Sequence, residues 1–149
     1  MNTTIAAATL QERRHQQHGT AVLSKVSLLG RILYSAIFIL SGPNHFKAAT
    51  IGYAAAQGVP LASIAVPLSG IIALLGGLSI ALGYRAKLGA WLIVLFLVPV
   101  SLMLHRFWGL SDPKAAGLQL AMFMKNVSML GAALMIARVG SGPLSLRRD

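Results

Sequence analysis

The residues best suited to chemistry lie inside stretches that are otherwise apolar. Lys125 and Asn126 interrupt the stretch AMFMKNVSMLGAALMIA, which spans residues 121–137. A cation at bilayer depth costs roughly 3 kcal/mol on insertion scales. Such a residue therefore usually pairs with another group, faces a polar cavity, or extends its side chain toward the membrane surface. The remainder of the sequence is needed to distinguish these three arrangements.

The composition indicates an integral membrane protein. Of 149 residues, 56% are hydrophobic and 11% are charged, and the mean hydropathy is +0.71. Soluble domains carry about 25% charged residues. The net charge of +10 comes from basic residues at the ends of apolar runs, so membrane topology explains it and no nucleic-acid partner is predicted. Because the chain has no cysteine, any redox role requires a bound carrier.

Four apolar stretches approach the length of about 20 residues that a membrane-spanning helix needs. They cover residues 26–42, 65–83, 88–104 and 118–137. The sequence predicts an all-α fold, an up-down-up-down four-helix bundle with a short interfacial helix on the outer face before Gly58 and Pro60. Residues 26–138 form this transmembrane domain. A cytoplasmic tail, expected to be disordered, precedes it over 1–25, and a cytoplasmic C-terminal tail follows over 139–149.

The distribution of basic residues predicts the orientation. Most Lys and Arg residues fall in the N-terminal tail, in the loop around residues 83–87 and at the C-terminus, whereas the other two loops hold only Lys47, Arg106 and Lys114. Basic residues collect on the cytoplasmic side of membrane proteins. Both termini are therefore predicted to be cytoplasmic.

Small residues predict where the spans pack closely. Ala73, Gly77 and Ala81 form a stripe on span two, and span four carries a second group, Ser128, Gly131 and Ala132. Pro99 is expected to kink span three, either as a hinge or as a proline that a membrane helix tolerates.

Polar side chains are expected to converge in the outer leaflet. With this topology, Lys125 lies about seven residues, near 10 Å, below the outer surface. A bundle could place Asn44, His45, His105, Lys125 and Asn126 around one cavity. Lys, His and Asn all donate hydrogen bonds, so they suit the carbonyl oxygens of a quinone, and an anionic headgroup would suit them equally.

Each of these residues also has a purely structural interpretation. Lys125 could extend its side chain to the surface, although burial toward the bundle is favoured because the depth exceeds the reach of its stem. The histidines could be interfacial, and Asn126 could join two helices. Arg31 is interpreted as an anchor at the inner interface. No metal site is predicted, because the two histidines lie at span ends with no third ligand at helical spacing.

Four blocks of sequence, in order, resemble the DoxX family of small bacterial four-span membrane proteins. They read LGRILYSAIFILSGPNHF, GYAAAQGVPLA, LLGGLSIALGYRAKLGAWLI and MKNVSMLGAALMIARVGSGPLSL, and together they cover roughly residues 29–146. The resemblance implies a bacterial inner-membrane location. By the same resemblance, Arg31, Lys125 and Asn126 stand at positions of the family's sequence motifs. Related sequences often have a glutamate where this chain has Ala73, so no intramembrane carboxylate is expected here.

The resemblance further implies a role that some members of the family have, as the membrane subunit of a quinone-linked oxidoreductase. The leading hypothesis is therefore a quinone-interacting subunit with a protein partner that supplies electrons. The alternative is a non-catalytic scaffold or assembly factor, and a small-solute or anion transporter is a weaker third. The lipid bilayer is the expected environment, a homo-oligomer is a further candidate state, and the sequence leaves open whether the chain is itself catalytic.

Overall fold

The chain folds into five α-helices and one short 3-10 helix over the residues that the structure describes. This computed structural model describes residues 2–147, with side chains described for residue 17 and from residue 19 onward. The α-helices are, in chain order, α1 (Asn2–Ser41), α2 (Ala48–Ala56), α3 (Ala62–Leu82), α4 (Ala86–Leu104) and α5 (Pro113–Val139). The 3-10 helix Gly42–Phe46 follows α1 directly.

Within the described residues, four helical segments are long and apolar enough to cross a bilayer. They are Gly19–Phe46, Ala62–Leu82, Ala86–Leu104 and Pro113–Val139. The prediction of an all-helical protein with four spans is thereby confirmed. Helix α2 occupies the loop where a short helix was expected. Its position at the membrane surface and the up-down order of the spans stay predictions.

The first helix extends through the segment that precedes the predicted first span. Helix α1 begins at Asn2, so the predicted first span is the C-terminal part of a 40-residue helix. Residues 2–25 contain no proline and only one glycine, Gly19, and they include a run of three alanines. A segment of that composition contains little that opposes helix formation.

Specific residues end the helices. Gly83 adopts a left-handed conformation (φ +62°), and its N–H and that of Tyr84 donate to the carbonyls of Ile80 and Ser79. This Schellman motif ends α3. At the start of α5, the Asp112 side chain accepts a hydrogen bond of 3.1 Å from the Lys114 N–H, with Pro113 in the first turn.

The spanning helices pack in the order α1, α3, α4, α5. Their shared core contains Phe38, Ala73, Ile93, Phe96 and Ala133, together with neighbouring aliphatic residues. The phenyl rings of Phe38 and Phe96 meet edge to face with centroids 6.1 Å apart. Helices α1 and α5, at the two ends of this order, are bridged by the Tyr34 hydroxyl, which donates to the Met129 carbonyl at 2.9 Å.

Glycines allow α3 to approach both of its neighbours, α4 and α1, closely. A methyl group on Gly89 would lie 2.6 Å from Ser79 Cβ and 2.9 Å from the Gly76 carbonyl oxygen. Gly77, in the predicted small-residue stripe, performs the same role toward α1, since a methyl group there would meet Phe38 and Ile39. The backbones of neighbouring helices thus touch where only hydrogen atoms intervene.

The C-terminal segment folds back over one end of the bundle and surrounds Arg31. One Arg31 guanidinium nitrogen, Nη1, donates to the Ser141 carbonyl and to Ser145 Oγ, and Nη2 donates to the Leu144 carbonyl at 2.6 Å. Arg31 is 5% exposed. We call this group of contacts, from Arg31 to residues 141–145, the Arg31 clamp.

Backbone hydrogen bonds extend the same contact to the turn between α3 and α4. The N–H groups of Leu146 and Arg147 donate to the carbonyls of Leu82 and Gly83, both at 3.1 Å. The clamp therefore ties α1, the α3–α4 turn and the segment after α5 into one structure. We call this end of the bundle the clamp end, and the end with residues 42–61 and 105–112 the loop end.

The position of Arg31 corrects the expectation of a side chain reaching out to the inner interface. The residue is buried because the C-terminal segment covers it and backbone carbonyls take the place of water or lipid headgroups. The carbonyl oxygens of peptide groups are good acceptors for guanidinium donors, so the protein itself supplies partners for Nη1 and Nη2.

Replacing Gly89 with alanine is expected to destabilise the protein by about 1–3 kcal/mol, because a methyl group there forces α3 and α4 apart. The thermal unfolding midpoint in detergent should fall. Gly131→Ala is the matched control, since nothing lies within 4 Å of a methyl group at that position. Equal midpoints for the two variants would contradict the close approach of these helices.

Arg31→Gln is expected to lower the free energy of unfolding by about 3 kcal/mol, because the carbonyls of Ser141 and Leu144 and the Ser145 hydroxyl all lose the charged donor that Arg31 supplies. Arg31→Lys should be intermediate, since one ammonium group cannot reproduce the fork of the guanidinium. Arg138→Gln is the control, because Arg138 is exposed in the last turn of α5. A midpoint for Arg31→Gln that matches the control would show that the clamp contributes nothing to stability.

Candidate functional site

A cavity of about 370 Å³ lies between α2, α3 and α4 in the loop-end half of the bundle. Its volume falls within the usual range for small-molecule sites. The walls are apolar side chains from all three elements, among them Ala54, Val66, Ile72, Phe96 and Leu104. Leu68 and Leu95 line it and are more than half exposed. The cavity therefore opens on the faces of α3 and α4 that meet lipid chains.

Few polar groups reach this cavity. Ser69 is the polar side chain in the lining, and its hydroxyl donates to the Val66 carbonyl at 2.7 Å. Pro99, also in the lining, has no N–H, so the carbonyl of Leu95 lacks its helical donor. The site thus suits a hydrocarbon chain along most of its surface, and the Ser69 oxygen is the side-chain acceptor in the lining.

His45 lies directly behind the cavity wall. Its Nδ1 is 3.2 Å from the Gly42 carbonyl and 3.3 Å from that of Ser41. Because carbonyl oxygens only accept, Nδ1 carries the hydrogen in these contacts, and in the neutral ring Nε2 is an acceptor. The imidazole meets Phe96 edge to face at 5.6 Å, and Phe96 separates it from the cavity.

The other loop-end residues predicted for the site do not line the cavity. Asn44 is exposed. His105 is half-buried, and its Nδ1 is 2.9 Å from Gln119 Oε1, which connects the end of α4 to α5. Arg106 donates from Nη2 to the Gln57 carbonyl at 3.0 Å and so holds the segment after α2. These contacts fix the loops at this end of the bundle.

Lys125 and Asn126 point in different directions from α5. Asn126 is 4% exposed and belongs to the inward stripe that includes Ala133. Lys125 is exposed, and its ammonium group contacts Met122 Sδ at 3.6 Å. Successive residues of a helix are about 100° apart, so the two side chains cannot both face the bundle. The expectation that Lys125 faces the interior is corrected in favour of Asn126.

The predicted ring of donors is therefore not assembled in one place. Of the residues proposed from sequence, only His45 is adjacent to the cavity, and Arg31 lies at the opposite end of the bundle, 14 residues or roughly 21 Å along the helix from His45. The residues that do form the cavity are apolar. Nothing in their type distinguishes them from residues that face lipid, so no sequence signal could have selected them.

Comparison with known proteins gives the family. A sequence model of the DoxX family matches residues 26–106. The chain is similar to two Escherichia coli proteins: inner membrane protein YphA, 29% identical over 81% of this chain and 87% of the relative, and inner membrane protein YqjF, 31% identical over 81% and 88%. No solved structure matches the chain significantly. With four candidate spans and this match over more than half its length, the chain belongs to the DoxX family of inner membrane proteins.

Proposed function

We propose that this protein binds a lipid-soluble molecule of the quinone class and serves as the membrane subunit of an oxidoreductase system whose partner supplies the electrons. The observation that carries this proposal is the cavity between α2, α3 and α4, which opens toward lipid. A ligand that partitions into the bilayer reaches such a mouth without passing through water. A quinone, when bound, supplies redox capacity that the chain, without cysteine, does not supply through thiols.

The cavity fits the tail of a quinone better than its ring. Its aliphatic walls suit an isoprenoid chain. The Ser69 hydroxyl donates to the Val66 carbonyl, so its oxygen is left as an acceptor, and a displacement of Phe96 would bring a second acceptor, His45 Nε2, within reach. Both suit the hydroxyl groups of the reduced form, the quinol. The donors expected from sequence at Lys125, Asn126, His105 and Asn44 do not contribute to this cavity, so the chain's part in the reaction is to hold and orient the ligand.

Decyl-ubiquinone is expected to raise the thermal unfolding midpoint of the purified full chain in detergent, because a ligand that binds only the folded state stabilises it. Ala65→Phe and Val100→Phe should abolish the rise, since each fills the cavity from its lining. Leu75→Phe is the matched control, as Leu75 is an exposed residue of α3 outside the lining.

Two outcomes would contradict this proposal in different ways. Equal shifts with decyl-ubiquinone and with dodecanol would show that the cavity binds any alkyl chain. The assignment of the ligand to the quinone class would then be wrong, whereas the cavity would remain a binding site for alkyl chains. A shift that persists in Ala65→Phe and Val100→Phe would place the ligand elsewhere.

A second candidate function, a non-catalytic membrane scaffold, is favoured by the exposed face of α5. Lys125, Ser128 and Ala121 lie on that face, and all three are exposed. A surface that combines a cation with small residues inside a membrane suits contact with another protein. The cavity experiment and a test of this face address different parts of the molecule.

We also propose that the clamp end faces the cytoplasm. The clamp end holds Arg85, Lys87, Arg138 and Arg147, whereas the loop end holds fewer basic residues. Because the chain lacks cysteine, a single introduced cysteine reports on which side of the membrane its position lies. In intact cells, an impermeant maleimide should label Ser111→Cys and should label Leu146→Cys only after permeabilisation. The reverse pattern would invert the orientation.

A further inference from the structure

Helix α1 carries an apolar stripe on the side that faces away from the bundle. Its members are aliphatic residues that are each more than half exposed: Val22, Val26, Leu29, Leu33 and Leu40. They follow one another at intervals of four, three, four and seven residues, and Ala36 divides the last interval into three and four. Alternating intervals of three and four residues are the heptad spacing by which two α-helices pack along each other. We call this stripe the α1 seam.

The buried side of α1 lies opposite the seam and keeps the same period. Arg31 and Phe38 are seven residues apart, and they are 5% and 2% exposed. Each of them follows a position of the heptad pattern, Leu29 or Ala36, by two residues, which is about 200° around the helix. Helix α1 therefore packs against its own bundle with one side and presents the seam outward on the other.

The seam extends past the ends of the other spans. Helices α3 and α4 have 21 and 19 residues and are roughly 30 Å long, which matches the hydrocarbon core of a bilayer. At the clamp end, Gly83 in the turn between them is in contact with Arg31. A methyl group on Gly142, three residues after the end of α5, would lie 3.0 Å from Ser27 Oγ. Residues 19–26 precede these contacts on α1, so they extend roughly 12 Å beyond the bundle.

This extension exposes large apolar side chains outside the hydrocarbon layer. Val22, Leu23 and Val26 lie on it and are 59%, 68% and 60% exposed. The headgroup region adds only about 5–8 Å on each side of the hydrocarbon core, so the extension continues into water. Lipid chains cover exposed leucines inside the membrane, but they do not cover this part of the seam. An apolar stripe on a helix in water is typical of a surface that packs against another helix.

A second copy of the chain fits the seam. Two copies inserted in the same orientation present their α1 helices parallel, and a twofold axis along the membrane normal brings the same residues of both copies together. The heptad pattern is continuous from residue 22 to residue 40, so one register serves both outside and inside the membrane. Lys25 flanks the seam and would lie opposite Gly30 in a parallel pair, so no like charges meet across it.

We propose that the α1 seam joins two copies of this chain in a parallel coiled coil that begins outside the membrane and continues into it. The two bundles lie on opposite sides of the paired α1 helices, because Arg31 and Phe38 hold each α1 against its own bundle. This proposal does not rest on the quinone-class ligand or on the scaffold candidate, since the cavity lies on α2, α3 and α4 and the exposed cation on α5.

Single cysteines in the full chain test the seam in membranes from cells that express it, because the chain has no cysteine of its own. Val22→Cys, Val26→Cys and Leu29→Cys lie on the seam, and Ala21→Cys and Ser24→Cys are matched controls on other sides of the same helix. After oxidation with copper phenanthroline, the seam positions should yield roughly fivefold more covalent dimer than the controls. Labelling of each variant with a maleimide before oxidation corrects the yields for accessibility.

A charge placed in the seam tests whether the contact depends on it. Val26→Glu should lower the dimer yield of Leu29→Cys to that of the control positions, because two carboxylates would meet across the pair. Ala21→Glu adds the same charge away from the seam and should leave the yield of Leu29→Cys unchanged. Val26 and Ala21 are both exposed, so neither substitution disturbs the core of the bundle.

Three results would overturn the proposal. One is an equal dimer yield at seam and control positions, including no dimer at any of them, because the two α1 helices would then not be paired. Another is a dimer yield of Leu29→Cys that survives Val26→Glu. The third is a cross-linked product whose mass is not twice that of the chain, because a different protein would then cover the seam. The cavity variants leave these yields unaffected, so the two proposals fail separately.

Discussion

The clamp around Arg31 is the interaction on which the arrangement of this bundle depends most. A guanidinium group inside a membrane protein needs acceptors for its donors, and this chain supplies them to Nη1 and Nη2 from backbone carbonyls and Ser145 rather than from a carboxylate. Nε is also buried and has no hydrogen-bond partner among the described residues. Satisfying Arg31 requires the C-terminal segment to return across the end of the bundle. That return brings residues 146 and 147 into hydrogen bonds with the α3–α4 turn. One cation thereby connects the first helix with the last segment of the chain.

The clamp leaves the two ends of the molecule with different properties. At the clamp end, Gly83 is in contact with Arg31 and Ser145, and no side chain larger than hydrogen fits there. At the loop end, α2 and its connections cover the bundle, and the cavity lies beneath them. The proposed binding of a lipid-soluble molecule concerns the cavity at the loop end alone. The exposed face of α5 is a separate surface, so the proposed ligand and the partner of the scaffold candidate would occupy different parts of the molecule.

The sequence predicted those features that depend on local composition. The four spans follow from hydropathy, the end of α2 follows from Gly58 and Pro60, and the stripe containing Ala73 and Gly77 packs against neighbouring helices as expected. It did not predict the clamp, because the partners of Arg31 lie more than 100 residues away and consist mainly of backbone carbonyls, which any residue supplies. Lys125 was placed incorrectly because both it and Asn126 are polar, and one helical step decides which of them faces the interior.

Residues 140–147 are part of the folded bundle rather than a free tail. Hydrogen exchange of the Leu146 and Arg147 amides, measured by mass spectrometry on the purified full chain in detergent, tests whether this segment is folded. The clamp predicts protection of both amides, since each donates to a carbonyl of the α3–α4 turn. Exchange at the rate of an unstructured peptide would contradict the clamp and, with it, the account of how Arg31 is held inside the protein.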